Sequence, residues 1–213
     1  MDLTTSRLVS AARDLLSRGQ IAGAEGQLRL LLHEDPNHAA ALTLLGGILL
    51  RTGRLAEAQG VLGEAYRHAP SEPETVLLYA IARRSNGEFD AAAELFQRLI
   101  DLGQESADIQ NQLGSCRLEM DDAVGAGAAF KRAIELDRTS ANSYYNLGMA
   151  LAMAGTSFET FLTFKRAIEL NPNYLDSYIQ LWEVMRKLLN WREGLPDDQS
   201  PLAARVARSQ APL

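Results

Sequence analysis

The residues of this chain best suited to chemistry are three histidines, one cysteine and a few acidic pairs, and their spacing assembles no reactive site. His33, His38 and His68 sit near the ends of expected helices or in the turns after them. None has a cysteine or carboxylate at the spacing a metal site needs, so they read as solvated surface. Cys116 is the only cysteine, which rules out an intrachain disulfide and a cysteine-based zinc site. It falls at an inward helix position shared with Ile48, Ala82 and Ala150, where a buried, inert thiol is expected. Asp121 with Asp122 and Asp197 with Asp198 lie in a turn and in the tail, where capping or solvation accounts for them. GAGAAF, Gly125 to Phe130, lacks the third glycine and the preceding strand of a phosphate-cradling loop. No catalytic residue, metal or cofactor is assigned, and the chain reads as a binding protein, not an enzyme.

Composition narrows the partner. With 46% hydrophobic residues, the 213-residue chain can bury an ordered core, and a net charge of −6 argues against a phosphate-neutralising surface. Nucleic acid is therefore not expected as a partner. No segment approaches the roughly 18 consecutive apolar residues of a membrane span, and MDLTTSRLVSAARDLL has no signal-peptide core. Neither membrane insertion nor an oxidising compartment is expected, and a cytoplasmic setting fits best.

The elements that must position any binding residue follow from a repetition. FKRAIEL occurs at Phe130–Leu136 and again at Phe164–Leu170, thirty-four residues apart. Extending that period outward divides the chain into windows 5–38, 39–72, 73–106, 107–140 and 141–174. Each window reads as two amphipathic helices of about fourteen residues joined by a short turn. Gly53, Gly87 and Gly155 share one window position, where a helix must end in a left-handed residue, and Asp121 holds it in the fourth window. Pro36, Pro70 and Pro172 stop the second helices.

Small residues recur where the paired helices must approach. Ala12, Gly46, Ala80, Gly114 and Gly148 stand at the eighth position, and Ala24, Ala58, Ala92, Ala126 and Thr160 at the twentieth. Large apolar residues fill the twenty-fourth, as Leu28, Leu62, Phe96, Phe130 and Phe164, and the seventh, as Leu45, Tyr79, Leu113 and Leu147.

This pattern, clearest in YYNLGMALAMAG and FKRAIELNPN, resembles the tetratricopeptide repeat family. The resemblance implies an all-α fold, a right-handed α-solenoid of helix-turn-helix repeats with a C-terminal capping helix, in which stacking buries faces that single repeats leave exposed. Departures are Leu31 and Leu99 for a small residue at position 27, Gln104 and Arg138 for the proline, and Thr160 with Ser157 in the last full repeat. There Thr156 and Glu159 supply a capping box. Residues 175–190 read as the capping helix and 191–213 as a flexible tail or linker. Ile179, Trp182, Leu188 and Trp191 make that helix unusually apolar. It is expected to be covered in part by the tail, or else to dock another chain or a second copy of this one.

The family resemblance also implies that first helices line a groove that takes an extended or helical peptide. Its groove positions fall on Thr43, Gly47, Leu50, Leu77, Ile81 and Arg84 toward the amino end. Toward the carboxyl end they fall on Asp108, Asn111, Ser115, Asn142, Tyr145, Met149 and Met153. Gln112, Asn146 and Gln180 share the sixth position of successive first helices, a stack of amides able to meet a peptide backbone irrespective of its sequence. The lysine and asparagine set with which some members hold acidic chaperone tails is absent. Arg83 and Arg117, at the eleventh position, are expected to lay their stems on apolar surface and reach carboxylates. The function expected is a protein-interaction scaffold. The alternative is the substrate-recruiting region of a larger glycosyltransferase- or sulfotransferase-type enzyme, since similar arrays precede such catalytic domains.

Overall fold

The computed structural model describes residues 3–155 and 158–188, with side chains from Arg7 onward. Every regular element among them is an α-helix: α1 (Leu3–Ser17), α2 (Ile21–Glu34), α3 (Ala39–Arg51), α4 (Leu55–His68), α5 (Pro73–Ser85), α6 (Phe89–Asp101), α7 (Ala107–Glu119), α8 (Ala123–Leu136), α9 (Ala141–Ala154), α10 (Phe158–Leu170) and α11 (Leu175–Leu188). Helix starts carry side-chain caps where the sequence offers them. Ser106, Asp122 and Ser140 accept from the N–H groups of Ile109, Gly125 and Ser143, and His38 Nδ1 accepts from Ala41. Helix ends behave largely as the turn residues require, with φ of +75° at Gly53 and +80° at Gly87. Asp121 takes the same role at φ +60°, as a short polar side chain can. Gly155 differs, ending α9 at φ 140°, ψ 134°, outside the left-handed helical basin. The capping box proposed at Thr156 and Glu159 has one member, Thr156, outside the described residues, as is Ser157.

The chain forms two compact units, 1–105 with α1 to α6 and 106–213 with α7 to α11. Within each unit, consecutive helices pack as hairpins, and neighbouring hairpins stack on one another. The hairpin contact is the one the small residues announce. A methyl added at Gly114 would sit 2.5 Å from Phe130 Cε1, and one at Gly148 the same distance from Phe164 Cε1, so the ring of the second helix lies directly on the backbone of the first. Phe96, Phe130 and Phe164 are fully buried, and so is each twentieth-position residue, Thr160 included. Leu31 and Leu99 are accommodated in the core at 1% exposure. These two departures from the family pattern therefore fill space that alanine fills elsewhere.

Stacking carries a polar device as well. Thr43 Oγ1 lies 2.7 Å from Thr75 Oγ1, joining α3 to α5, and Asn111 Nδ2 donates to Ser143 Oγ at 2.8 Å, joining α7 to α9. Each links the fifth position of one first helix to the third position of the next. Ser177 holds that third position in α11 and is fully buried, yet its hydroxyl finds no hydrogen-bond partner, because the fifth-position residue before it is Tyr145. Opposite effects are expected from the same substitution at equivalent sites. Ser143→Ala leaves the buried Asn111 amide without an acceptor and should cost about 1–3 kcal/mol. Ser177→Ala removes an unsatisfied buried hydroxyl and should leave the urea midpoint unchanged or raise it. A loss of stability in Ser177→Ala equal to that in Ser143→Ala would contradict this pairing rule.

On the outer helices of the first unit, Arg29 and Arg54 each contact both Glu25 and Glu57, tying α2 to α4 and its preceding turn. Bonds from Arg54 and then Arg29 hold the Glu25 carboxyl below its usual range. Arg29, Arg54 and Glu57 stand in water and only Glu25 is half-buried, so the lattice adds register more than stability.

Candidate peptide-binding surface

In the first unit, the first helices α1, α3 and α5 present side chains at helical spacing toward one side, and between them lies a cavity of about 460 Å³. Its apolar lining comes mainly from Leu16, Leu44, Leu50, Leu78 and Ile81. Gly47 forms part of the floor, where a methyl would meet Leu78 Cδ1 at 3.4 Å, so glycine keeps the cavity open. Arg51 and Glu74 stand at its edge. A more polar cavity of about 520 Å³ adjoins it, lined by residues including Arg13, His38, Thr43, Glu72 and Glu74. Arg13 pairs with Glu74 at 3.7 Å where the two meet.

Of the groove residues expected here, Gly47, Leu50 and Ile81 line the apolar cavity. Leu77 and Arg84 are half-buried outside the lining set, and Thr43 is buried in its bond to Thr75. Leu16, Leu44 and Leu78 were not expected there. Their signal is the sixth position, apolar in both α3 and α5, together with the twelfth position of the first helix.

In the second unit Asn111 is 7% exposed, turned into the junction with α9. Its Oδ1 and the Oε1 of Gln112 are buried without hydrogen-bond partners. Ser115, Asn146, Met149 and Gln180 are half-buried, and Met153 and Asn142 are exposed. Asn142 accepts from the Tyr174 hydroxyl at 3.2 Å. Tyr145 packs between Phe164 and Tyr174, with ring centroids 5.8 and 4.9 Å away, and burial raises the pKa of its phenol. On α11, Trp182 is half-buried while Ile179 and Leu188 are exposed; Trp191 lies outside the described residues.

The residues considered for chemistry are placed as follows. His33 and His68 are exposed, His38 is half-buried and caps α3, and Cys116 is buried. Among the described residues no group of three or more His, Cys, Asp or Glu could hold a metal, and no helix is long and apolar enough to cross a membrane. Arg83 reaches the Glu88 carboxylate and the Tyr79 hydroxyl, its guanidinium 4.9 Å from the Tyr79 ring centroid. Arg117 departs from expectation, donating to the Gly125 carbonyl at 3.0 Å. Asp122, one of the two carboxylates in that turn, caps α8.

Helical hairpins of nearly one length, packed small against large, with the second helix of each stacked on the first helix of the next within a unit, define a helix-turn-helix repeat protein. The chain belongs to the tetratricopeptide repeat family: models of that repeat match residues 9–73, 49–116 and 129–159. A TPR repeat-containing protein of Dictyostelium discoideum is 31% identical over 113 residues, covering 50% of this chain and 43% of its own length. The CTR9 homolog of Arabidopsis thaliana is 26% identical over 121 residues, covering 56% of this chain and 11% of its own. The chain thus spans less than half the length of these curated relatives. Among solved structures, MamA matches with a TM-score of 0.72 at 22% identity, covering 92% of this chain and 99% of that one. YrrB, described as a TPR protein with an unusual peptide-binding site, matches with a TM-score of 0.67 at 18% identity over 85% of this chain and 97% of that one. Likeness at these identities is likeness of fold.

Proposed function

We propose that this chain is a non-enzymatic interaction adaptor that holds a peptide segment of a partner protein against its first helices. The apolar cavity lined by Leu44, Leu50, Leu78 and Ile81 carries the reading, since it offers an aliphatic hollow between first helices that a partner's side chain can fill. The peptide-binding site stated for YrrB supports the same use of the fold. In the second unit, the proposal assigns backbone contacts to the amides of Gln112, Asn146 and Gln180, and side-chain contacts to Tyr145, Met149 and Met153. Asn111 supports that surface from beneath.

Ordering a flexible peptide offsets much of the contact energy, so binding on the order of micromolar is expected. The test is selection of short random peptides on the immobilised protein, followed by titration of the enriched sequences against Ile81→Glu. Aliphatic or aromatic residues should be enriched, and Ile81→Glu should weaken binding by about tenfold or more, with helicity unchanged by circular dichroism. Failure to enrich any sequence on the parent protein would sink the proposal.

A further inference from the structure

The outward side of α10 differs from that of the second helices in the first unit. Phe158, Leu162, Lys165 and Glu169 follow one another at helical spacing, so they form one stripe along the helix. Thr160, Phe164 and Ala167 on the opposite side are fully buried, and the stripe therefore points into solvent. Phe158 is 65% exposed and Leu162 47%. The Phe158 ring stacks on that of Phe161, with centroids 5.7 Å apart, so the apolar surface widens toward one flank. In the first unit the places of Phe158 and Leu162 are held by Ala22 and Gly26 on α2, Ala56 and Gly60 on α4, and Asp90 and Glu94 on α6, all of them exposed. Those helices form their hairpins without a large apolar side chain at either place, so folding does not explain the phenyl and the leucine.

The flanks of the stripe indicate what covers it. Glu159 and Arg166 lie two helical turns apart on one flank, and Phe161 and Ile168 do so on the other. When two identical helices pair antiparallel about a two-fold axis, residues of the same flank meet, the earlier one of each copy against the later one of the other. Glu159 then faces Arg166 of the second copy, and Phe161 faces its Ile168, each twice. A parallel pair would set Glu159 against Glu159 and Arg166 against Arg166, so the order of charges selects the antiparallel arrangement. Within one chain Glu159 reaches Lys131 at 3.5 Å and Arg166 reaches Glu169 at 3.0 Å, pairs that stand in water and exchange at little cost.

We propose that α10 is a self-association surface on which a second copy of the chain lays its own α10 antiparallel, Phe158 and Leu162 of each packing on Leu162 and the Lys165 stem of the other between two Glu159–Arg166 pairs. The contact is isologous and closes at a dimer. Only a few apolar side chains are covered, so association on the order of ten micromolar is expected.

Sedimentation equilibrium of the full chain, from about 1 to 100 micromolar, should show an average mass that rises from one chain toward two and no further. Leu162→Glu should keep the protein monomeric where the parent is dimeric. Glu159→Arg alone and Arg166→Glu alone should each weaken the dimer about tenfold, because each sets like charges opposite one another. An equimolar mixture of those two variants should associate as the parent does, since each supplies the charge the other lacks. Helicity by circular dichroism should be unchanged throughout. A parent that stays monomeric, a dimer that survives Leu162→Glu, or a mixture that associates no more tightly than either variant alone would overturn the proposal. So would a dimer lost in Ile179→Lys and kept in Leu162→Glu, which would move the contact to α11, or a mass that grows past two chains, which would mean a contact that does not close. Each of these outcomes leaves the peptide-binding reading standing.

Discussion

Phe130→Ala is expected to destabilise the second unit by about 3–5 kcal/mol, read as a fall in the urea midpoint. The ring is fully buried among Ala126, Leu147 and Ala150, and it rests on the backbone of Gly114. Gly114, Ala126 and Ala150 have no side chain to swing into the vacated space, so much of the cavity should persist beside Leu147. The converse substitution is milder: Gly114→Ala drives a methyl into the ring and should cost about 1–3 kcal/mol. Ala80 and Phe96 occupy the equivalent positions of α5 and α6 with both side chains fully buried, so a hairpin can take up a methyl opposite a phenyl by a small shift. In a Phe130→Leu background the cost of Gly114→Ala should fall, since Ala12 and Leu28 hold the same relation in the first hairpin. The two changes must then be non-additive. Additive costs would mean that the ring and the glycine are not in contact in solution.

That contact was legible in the sequence because it is local in the repeat. The eighth and twenty-fourth positions belong to one hairpin, and five copies superimpose their size constraint. The groove was less legible. Thr43 and Asn111 stand at a position the family resemblance assigns to ligand, but their side chains turn into the next hairpin, where Thr75 and Ser143 offer a bond within the protein. Which way such a residue points depends on the partner residue in the next hairpin, and composition at one position does not contain that. Leu78 shows the reverse case, an apolar residue at the sixth position, where later repeats carry amides, that lines the cavity. The division after Glu105 left no mark, because the thirty-four-residue period runs through it in phase. Arg117 could not have been assigned from its own position, since its partner is a backbone carbonyl, that of Gly125, which side-chain composition does not mark.

The second large effect is expected at the last described helix. Trp182 stands at the eighth position, which in earlier repeats faces the second helix of the same hairpin, and it is half-buried. Val184 is 3% exposed, at the tenth position that Ile48, Ala82, Cys116 and Ala150 hold in α3, α5, α7 and α9, all of them buried. In α9 that position faces the preceding hairpin, where Ala150 packs with Ala126 and Phe130. For α11 the preceding element is α10, its main packing partner. A helix of fourteen residues is marginal on its own, so its order depends on this one interface. Val184→Asp would bury a carboxylate with no partner, at a cost of several kcal/mol, which exceeds what one amphipathic face can return. The helix should undock: amides across 175–188 should lose protection in hydrogen exchange, while those of α7 and α8 keep theirs. Val184→Ala should instead cost about 1–3 kcal/mol and leave the helix docked. Protection of 175–188 in Val184→Asp equal to that of the parent would show that α11 is held by something other than this face, and would return the weight to Trp182, Ile179 and whatever covers them.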